Sequence, residues 1–194
     1  MDDSNGILMQ LLGGLLAPDG PKEWKEFNDV VKFIEFESVT GLHITGVGLI
    51  NGRGKGDDCV SIGDGITDIN ITYVNCGPGH GISIGSLGLD GTVSNVSNIR
   101  ARHILFNGTQ NGARIKTYQK VGVKISNVLY SEMHGTSTSD VALNFNCSEN
   151  VACTDIKLNN IDLTSSTRGE KVSSSCNNAS GEAIGTVNPK SCLR

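Results

Sequence analysis

Five positions along the chain carry side chains that could do chemistry together. Two adjacent carboxylates, Asp57 and Asp58, follow Gly-Lys-Gly; His80 stands between two glycines; Arg114 and Lys116 lie two residues apart. Adjacent acids can divide proton donation from the activation of a water molecule. A basic pair can hold a carboxylate of a substrate, and arginine can bind it through two parallel hydrogen bonds. Together these residue types suit the hydrolysis of a negatively charged polymer.

Each of these motifs also has an ordinary structural interpretation. An Asp-Asp pair is commonly an exposed turn, a histidine between glycines is commonly a turn residue, and a basic pair on a strand is often simply solvated. On a strand, however, Arg114 and Lys116 would face the same way, and Tyr118 would continue that face and could stack on a sugar. The two acids can reach one cleft only if Gly56 lets the backbone bend. The remaining histidines lack such a setting and are interpreted as surface or structural residues: His43, His103 and His134.

The composition is that of one folded domain covering residues 1–194. The net charge of -4 and the pI near 5.5 argue against nucleic acid as a partner, since no cluster of Lys and Arg offsets the acidic balance. No apolar run approaches the roughly 20 residues that a membrane span needs. We therefore expect a chain without a membrane segment. We also expect the chain to be a monomer.

The cysteines and the glycosylation-type tripeptides favour an extracellular protein. Six cysteines form an even set, and their order suggests the local pairs Cys59–Cys76, Cys147–Cys153 and Cys176–Cys192, although other pairings are open. A zinc site is the competing interpretation, but no C-x-x-C spacing or Cys/His cluster supports it. Asn-x-Ser/Thr tripeptides begin at Asn70, Asn95, Asn107, Asn146 and Asn178.

The amino terminus does not fit a secretion signal. Met1-Asp2-Asp3 is acidic where a signal peptide is basic, and the apolar stretch from Ile7 to Leu16 is broken by glutamine and glycine. Either the signal is absent from this chain or the true start lies upstream.

A repeated pattern of apolar, polar, Asn, apolar residues runs along the chain. The apolar residues that close its copies are 24, 28, 29 and 33 residues apart, as expected of a solenoid: Val47, Ile71, Ile99, Val128 and Ile161. A second short strand is predicted before each copy, over Val31–Phe36, Val60–Ile62, Ile82–Ile84, Ala113–Ile115 and Val141–Phe145.

Two or three short strands per repeat predict an all-β, right-handed parallel β-helix. Its coils would bury stacked Ile and Val residues, and Asn side chains at the turns would form ladders. The alternative is an all-β sandwich, which also has short strands at regular spacing. The segment from Pro21 to Val31 has some helix-forming residues, but it is short and we interpret it as a loop.

Longer motifs resemble those of a known family. They are Ala17–Trp24 (APDGPKEW), Ile44–Arg53 (ITGVGLINGR), Gly56–Gly63 (GDDCVSIG), Cys76–Gly88 (CGPGHGISIGSLG) and Asn111–Tyr118 (NGARIKTY). In this order they resemble the plant polygalacturonases of glycoside hydrolase family 28, which are pectin-cutting parallel β-helix enzymes. The resemblance covers nearly the whole chain from about Leu11 onward.

The resemblance implies a role for each candidate residue. Asp57 would be the general acid, Asp58 a base that activates water, and His80 the histidine that tunes the protonation of the acid. Arg114 and Lys116 would bind the substrate carboxylate, with Tyr118 near the substrate. No metal or organic cofactor is implied. The implied function is inverting hydrolysis of α-1,4-galacturonosyl linkages in pectin by a secreted cell-wall glycosidase.

Two departures from the family pattern put activity in doubt. The Asn-Thr-Asp segment that carries a third catalytic acid is missing, because Arg53 runs almost directly into Gly56, and further coils are missing after Gln119. The spacing across both junctions still equals one coil, so we expect a shortened β-helix to close up. The alternatives are a catalytically silent pectin-binding relic and an incomplete gene product.

Overall fold

The structure, a computed structural model, describes residues 6–16, 35–36, 39–51 and 58–194. Its first strands are β1 (Ile7–Gln10), β2 (Gly14–Leu16), β3 (Glu35–Phe36), β4 (Thr40–Thr45), β5 (Leu49–Asn51), β6 (Val60–Ile62), β7 (Thr67–Cys76) and β8 (Ile82–Leu87). After a 3₁₀ turn at Leu89–Gly91 come β9 (Ser94–Thr109), β10 (Ala113–Thr117), β11 (Val123–Ser137), β12 (Val141–Asn146), β13 (Cys153–Ser165), β14 (Ser173–Asn177) and β15 (Ala179–Asn188). Among the described residues no helix is long and apolar enough to cross a membrane.

The strands form two parallel sheets that wind around one core. The long-strand sheet has the order β1-β4-β7-β9-β11-β13-β15, with β5 pairing both β2 and β7. The short-strand sheet has the order β14-β12-β10-β8-β6-β3. Successive strands of each sheet are separated in the chain by a strand of the other sheet. This winding confirms the predicted parallel β-helix and excludes the sandwich, whose sheets are antiparallel.

Two bends divide each of the long strands. At the first bend the residues Asp68, Asn98, Asn127 and Asp155 have positive φ, and at the second bend so do Tyr73, His103, Glu132 and Asn160. The strand register skips these positions, so that each bend turns the chain without breaking the flanking pairs. Asn and Asp tolerate the left-handed region better than other residues with side chains, which explains their use at the first bend.

Side-chain ladders join the coils at these bends, as the sequence predicts. The Nδ2 of Asn98 donates to Asp68 Oδ1 at 2.8 Å, and the Nδ2 of Asn127 donates to Asn98 Oδ1 at 2.7 Å. At the second bend, the rings of Tyr73 and His103 stack with centroids 4.6 Å apart.

The structure corrects the repeat positions that the Asn pattern predicts. Ile99 pairs with Ile69 rather than Ile71, and Val128 pairs with Ile156 rather than Ile161. The steps between equivalent residues are 27, 30, 29 and 28: Leu42, Ile69, Ile99, Val128 and Ile156. The prediction was wrong here because Asp68 replaces Asn at the first bend of its coil, whereas Asn160 belongs to the second bend.

The core consists of stacked apolar columns contributed by both sheets. One column contains Ile82, Ala113 and Leu143, and the next contains Ile84, Ile115 and Phe145, all of them fully buried. The ring of Phe145 stacks against Tyr130 of the opposite sheet at 5.8 Å between centroids. The hydroxyl of Tyr130 is buried without a hydrogen-bond partner in the described part of the chain, and burial raises the pKa of Tyr130.

All six cysteines are paired as their order suggests. The disulfides are Cys59–Cys76, Cys147–Cys153 and Cys176–Cys192, with Cα–Cα distances of 5.8, 5.9 and 5.6 Å. This pairing leaves no free cysteine, and the zinc interpretation therefore fails.

The coils close up across the junction after Gln119. β9 and β11 pair directly, and Ser148 Oγ of the following coil accepts a hydrogen bond from Val121 N and donates one to Val121 O. The expected shortened β-helix is thus confirmed at this junction. At the earlier junction, β4 pairs with β7, but residues 52–57 lie outside the described part. The predicted loop Pro21–Val31 and residues 31–34 of the first predicted short strand also lie outside the described part.

Candidate active site

The candidate residues lie on and beside the short-strand sheet, in successive coils. Asp58 lies two residues before β6, His80 lies two residues before β8, and Arg114 and Lys116 lie within β10. The turns before these strands are stacked: Cys59 N donates to Gly81 O at 2.8 Å, and the next turn continues the stack through Asn111 N and His80 O at 3.3 Å. The spacing of the motifs therefore reflects one coil per motif, as the sequence predicts. Asp57 lies outside the described residues.

A buried ionic cluster joins Asp58, Ser83 and Arg114, and we call it the Asp58–Ser83–Arg114 triad. The Nη2 of Arg114 lies 3.0 Å from Oδ1 and 3.2 Å from Oδ2 of Asp58. The hydroxyl of Ser83 donates to Asp58 Oδ1 at 2.6 Å and accepts from Arg114 Nε at 3.0 Å. The side chain of Asp58 is 4% exposed and that of Arg114 is 16% exposed. Both oxygens of the Asp58 carboxylate therefore face a guanidinium, and Oδ1 also accepts from a hydroxyl, in a place that water reaches poorly.

The register of the short-strand sheet explains why this triad forms. Ser83 of β8 pairs with Arg114 of β10, so that their side chains leave the same face of the sheet side by side. Asp58 lies in the coil before Ser83, just before β6, and β6 pairs with β8. Three coils thus contribute one side chain each.

Lys116 shares the outward face with Arg114, as predicted from their spacing. Along β10, Ala113, Ile115 and Thr117 are buried, whereas Lys116 is exposed. Both cations line a surface depression of about 390 Å³, which we call the β10–β12 depression. Its other lining residues are Gln110, Asn111, Ile115, Ser139, Val141, Asn144 and Asn146. The floor is polar and carries two cations, which suits an anionic, hydroxyl-rich ligand.

Tyr118 and His80 lie close to this region but are less well defined as site residues. Tyr118 is 45% exposed and its N–H donates to Leu87 O at 2.9 Å, but it does not line the β10–β12 depression. His80 is half-buried in the turn before β8. Their roles in substrate contact and in tuning the acid stay predictions.

The other histidines have the surface or structural settings that the sequence predicts. His103 stacks on Tyr73, and His134 Nε2 lies 3.8 Å from a carboxylate oxygen of Glu132. His43 Nε2 is 3.4 Å from Thr72 Oγ1 on the long-strand sheet. Within the described residues, no group of three or more His, Cys, Asp or Glu side chains is arranged to hold a metal ion.

Sequence reasoning missed Ser83 and the polar residues contributed by β12. Ser83 lies three residues after His80, and alternation along the strand would have placed it on the outward face with Arg114. Asn144 and Asn146 pair with Arg114 and Lys116 in the next coil, so the corrected repeat identifies them as well. The signal was present, but it required the register between coils.

The disulfide Cys59–Cys76 anchors the carboxylate. Cys59 directly follows Asp58 and is bonded to the last residue of β7, four residues before His80. Both cysteines are buried. The bond therefore fixes the start of β6 against the end of β7 and restricts the backbone that carries Asp58.

Comparison with known proteins identifies the family. The sequence model described as glycosyl hydrolases family 28 matches residues 54–134 and 119–192. A polygalacturonase of Prunus persica is 37% identical over 79% of this chain and 50% of its own length, and an exopolygalacturonase of Oenothera organensis is 35% identical over 78% and 54%. The polygalacturonase QRT2 of Arabidopsis thaliana is 33% identical over 77% of this chain and 44% of its own length.

A solved structure was also found. The endopolygalacturonase I of Stereum purpureum, complexed with two galacturonate, has a TM-score of 0.41 and 21% identity, covering 91% of this chain and 58% of that one. The chain spans about half the length of the curated relatives it matches. With a family match over more than half of its residues, the chain belongs to family 28 of the glycosyl hydrolases.

Proposed function

We propose that the chain is a polygalacturonase-type glycosidase that hydrolyses α-1,4-galacturonosyl linkages of pectin with inversion. The relatives that it resembles are polygalacturonases and exopolygalacturonases by name. The observation that carries the proposal is the Asp58–Ser83–Arg114 triad beside the β10–β12 depression. It combines a carboxylate with cations that an acidic polysaccharide could contact.

The triad supports a division of labour between the two adjacent acids. A carboxylate that accepts hydrogen bonds from Arg114 and Ser83 is held ionised, and an ionised carboxylate can take a proton from water but cannot donate one. Asp58 therefore suits the base, and the proton donor to the leaving oxygen would be Asp57. Inverting glycosidases keep the two carboxyl groups about 6.5–9.5 Å apart so that water fits between the base and the sugar.

Lys116 is the group best suited to bind a uronate carboxylate. The hydrogen bonds of Arg114 to described residues use Nε and Nη2, both of which face the triad. Lys116 is exposed at the same depression, and Asn144 and Asn146 of the next coil offer hydrogen-bonding groups for sugar hydroxyls. We therefore place the carboxylate contact on Lys116, with Arg114 mainly holding Asp58.

The second candidate function is binding of pectin without turnover. It is favoured by the lack of an Asn-Thr-Asp tripeptide in this sequence. The family pattern leads us to expect that tripeptide before the Asp-Asp pair, but only two residues separate Arg53 from Gly56. Loss of a carboxylate that positions water would reduce the rate by about 10²–10⁴, the usual contribution of one acid-base group. The cations that hold the polymer would be kept in either case. In plants, the site of action would be the cell wall.

Release of reducing ends from polygalacturonate distinguishes the two functions. We expect slow release by the native chain, loss of release in Asp57→Asn, and weaker binding of oligogalacturonate in Lys116→Met. Lys124→Met is the matched control, because it removes an exposed cation outside the depression and should leave binding and release unchanged. Binding without any release supports the second function, and neither binding nor release contradicts both.

A further inference from the structure

Two of the glycosylation-type tripeptides stand apart from the others in the folded chain. Asn95 and Asn107 are exposed, and neither side chain has a hydrogen-bond partner among the described residues. We propose that Asn95 and Asn107 are acceptors of N-linked oligosaccharide, and that the fold excludes sugar from Asn70, Asn146 and Asn178. This inference concerns a modification and does not depend on the proposed hydrolysis.

The surroundings of Asn107 leave room for a bulky group. Asn107 follows Phe106, which is buried, so the alternation of the strand directs Asn107 outward. In the preceding coil the neighbouring position is Gly77, whose place beside the Asn107 backbone leaves no space even for a Cβ. Position 77 therefore has to be glycine, and no side chain from this position covers Asn107.

Asn95 lies near the start of β9, where the outward face is also open. Val96 beside it is fully buried, whereas Asn95 points to solvent and pairs in the next coil with Lys124, which is exposed as well. Neither Asn95 nor Asn107 lines the β10–β12 depression. A sugar on either asparagine is therefore not attached to a residue of the depression.

The other three acceptor side chains are already used by the fold. Asn70 is half-buried, and its Oδ1 accepts from Arg102 Nη2 at 3.1 Å. The Nδ2 of Asn178, the atom that would carry the sugar, lies 2.6 Å from Ser148 O. Asn146 lines the β10–β12 depression, and its Oδ1 is 3.3 Å from Asn177 Nδ2. A sugar on the Nδ2 of Asn178 displaces its contact with Ser148, a sugar on Asn146 fills the depression, and a sugar on the half-buried Asn70 is crowded against Arg102.

The modification is a group transfer from an oligosaccharide carried on a lipid pyrophosphate. The asparagine Nδ2 forms a bond to the anomeric carbon of the first sugar, and the bond from that carbon to the pyrophosphate oxygen breaks. The lipid pyrophosphate leaves with the electron pair, and the amide loses one proton. The sugar is transferred before folding is complete. A chain that carries sugar on Asn95 or Asn107 can still form all its coil contacts, whereas a chain that carries it on one of the other three asparagines cannot.

The test is expression of the full chain through the secretory pathway of a eukaryotic host, with an added leader. Secreted monomeric protein would be treated with peptide N-glycosidase, which converts each modified asparagine to aspartate, and the modified sites would be found by peptide mass spectrometry. Asn95→Gln and Asn107→Gln should each remove one oligosaccharide from the intact mass. Asn146→Gln is the matched control and should leave the carbohydrate mass unchanged.

Each outcome decides the assignment. Sugar on Asn95 and Asn107 alone supports it, and sugar on one of them overturns it for the other. Secreted protein without sugar on either, or folded protein with sugar on Asn70, Asn146 or Asn178, overturns the proposal.

Discussion

Replacing Arg114 with methionine should strongly destabilise the chain, because it removes the Arg114 cation from a buried carboxylate. Asp58 is 4% exposed, so water cannot replace the two contacts from Arg114 Nη2 at 3.0 and 3.2 Å. Breaking a buried ion pair from one side costs about 3–5 kcal/mol. Since Arg114 is 16% exposed and Ser83 still donates to Asp58, we expect about 3 kcal/mol, the lower end of that range.

The measurement is urea denaturation followed by circular dichroism at neutral pH. Lys116→Met is the matched control, because it removes a cation from the same strand at an exposed position, and it should change the free energy of unfolding by less than about 0.5 kcal/mol. The double variant Asp58→Asn/Arg114→Met removes both charges. It should recover part of the loss, with a coupling energy of about 1–3 kcal/mol between the two positions.

The reasoning would be refuted by a small loss in Arg114→Met or by additive effects in the double variant. Either result would mean that Arg114 does not stabilise Asp58 and is available to bind substrate. Arg114→Lys separates charge from geometry, since lysine restores the charge but cannot donate to Ser83 and Asp58 through one planar group. We expect it to fall between the native chain and Arg114→Met.

Three further predictions concern the coils around the site. Tyr130→Phe should stabilise the chain by about 1 kcal/mol by removing a hydroxyl that is buried with no hydrogen-bond partner among the described residues. It should also remove a loss of stability above pH 10, because burial raises the pKa of Tyr130 and only the unfolded chain ionises there; a native chain with no alkaline loss in denaturation experiments would contradict this. Asn127→Ala should lower the free energy of unfolding by about 1–2 kcal/mol, because alanine disfavours the positive φ and cannot donate to Asn98. Asn127→Gly should lower it less, because glycine tolerates that φ. An unchanged denaturation midpoint for the alanine variant would contradict this. Replacing Cys59 and Cys76 with alanine should cost about 3 kcal/mol, with hydrogen exchange rising first at β6; uniform loss of protection would argue against local anchoring.

Much of the fold could be predicted from the sequence because each coil repeats the same local pattern. The Val- and Ile-rich short strands appear where expected at β6, β8, β10 and β12. The order of the cysteines suggested all three disulfides, since each pair lies within 17 residues or fewer in the chain. The exact repeat was harder to predict, because Asn occurs at both bends and Asp68 takes its place in one coil.

The sequence by itself determined which chemical groups the site contains and that they recur at one-coil intervals. It also determined that Arg114 and Lys116 share a face, because side chains alternate along any strand. Only the tertiary structure decided that Arg114 pairs with Asp58, 56 residues away, rather than pointing wholly at a ligand. That contact depends on the register of β6, β8 and β10. The register is fixed when neighbouring coils pack their bends and core columns together, and no single segment of the sequence specifies that packing.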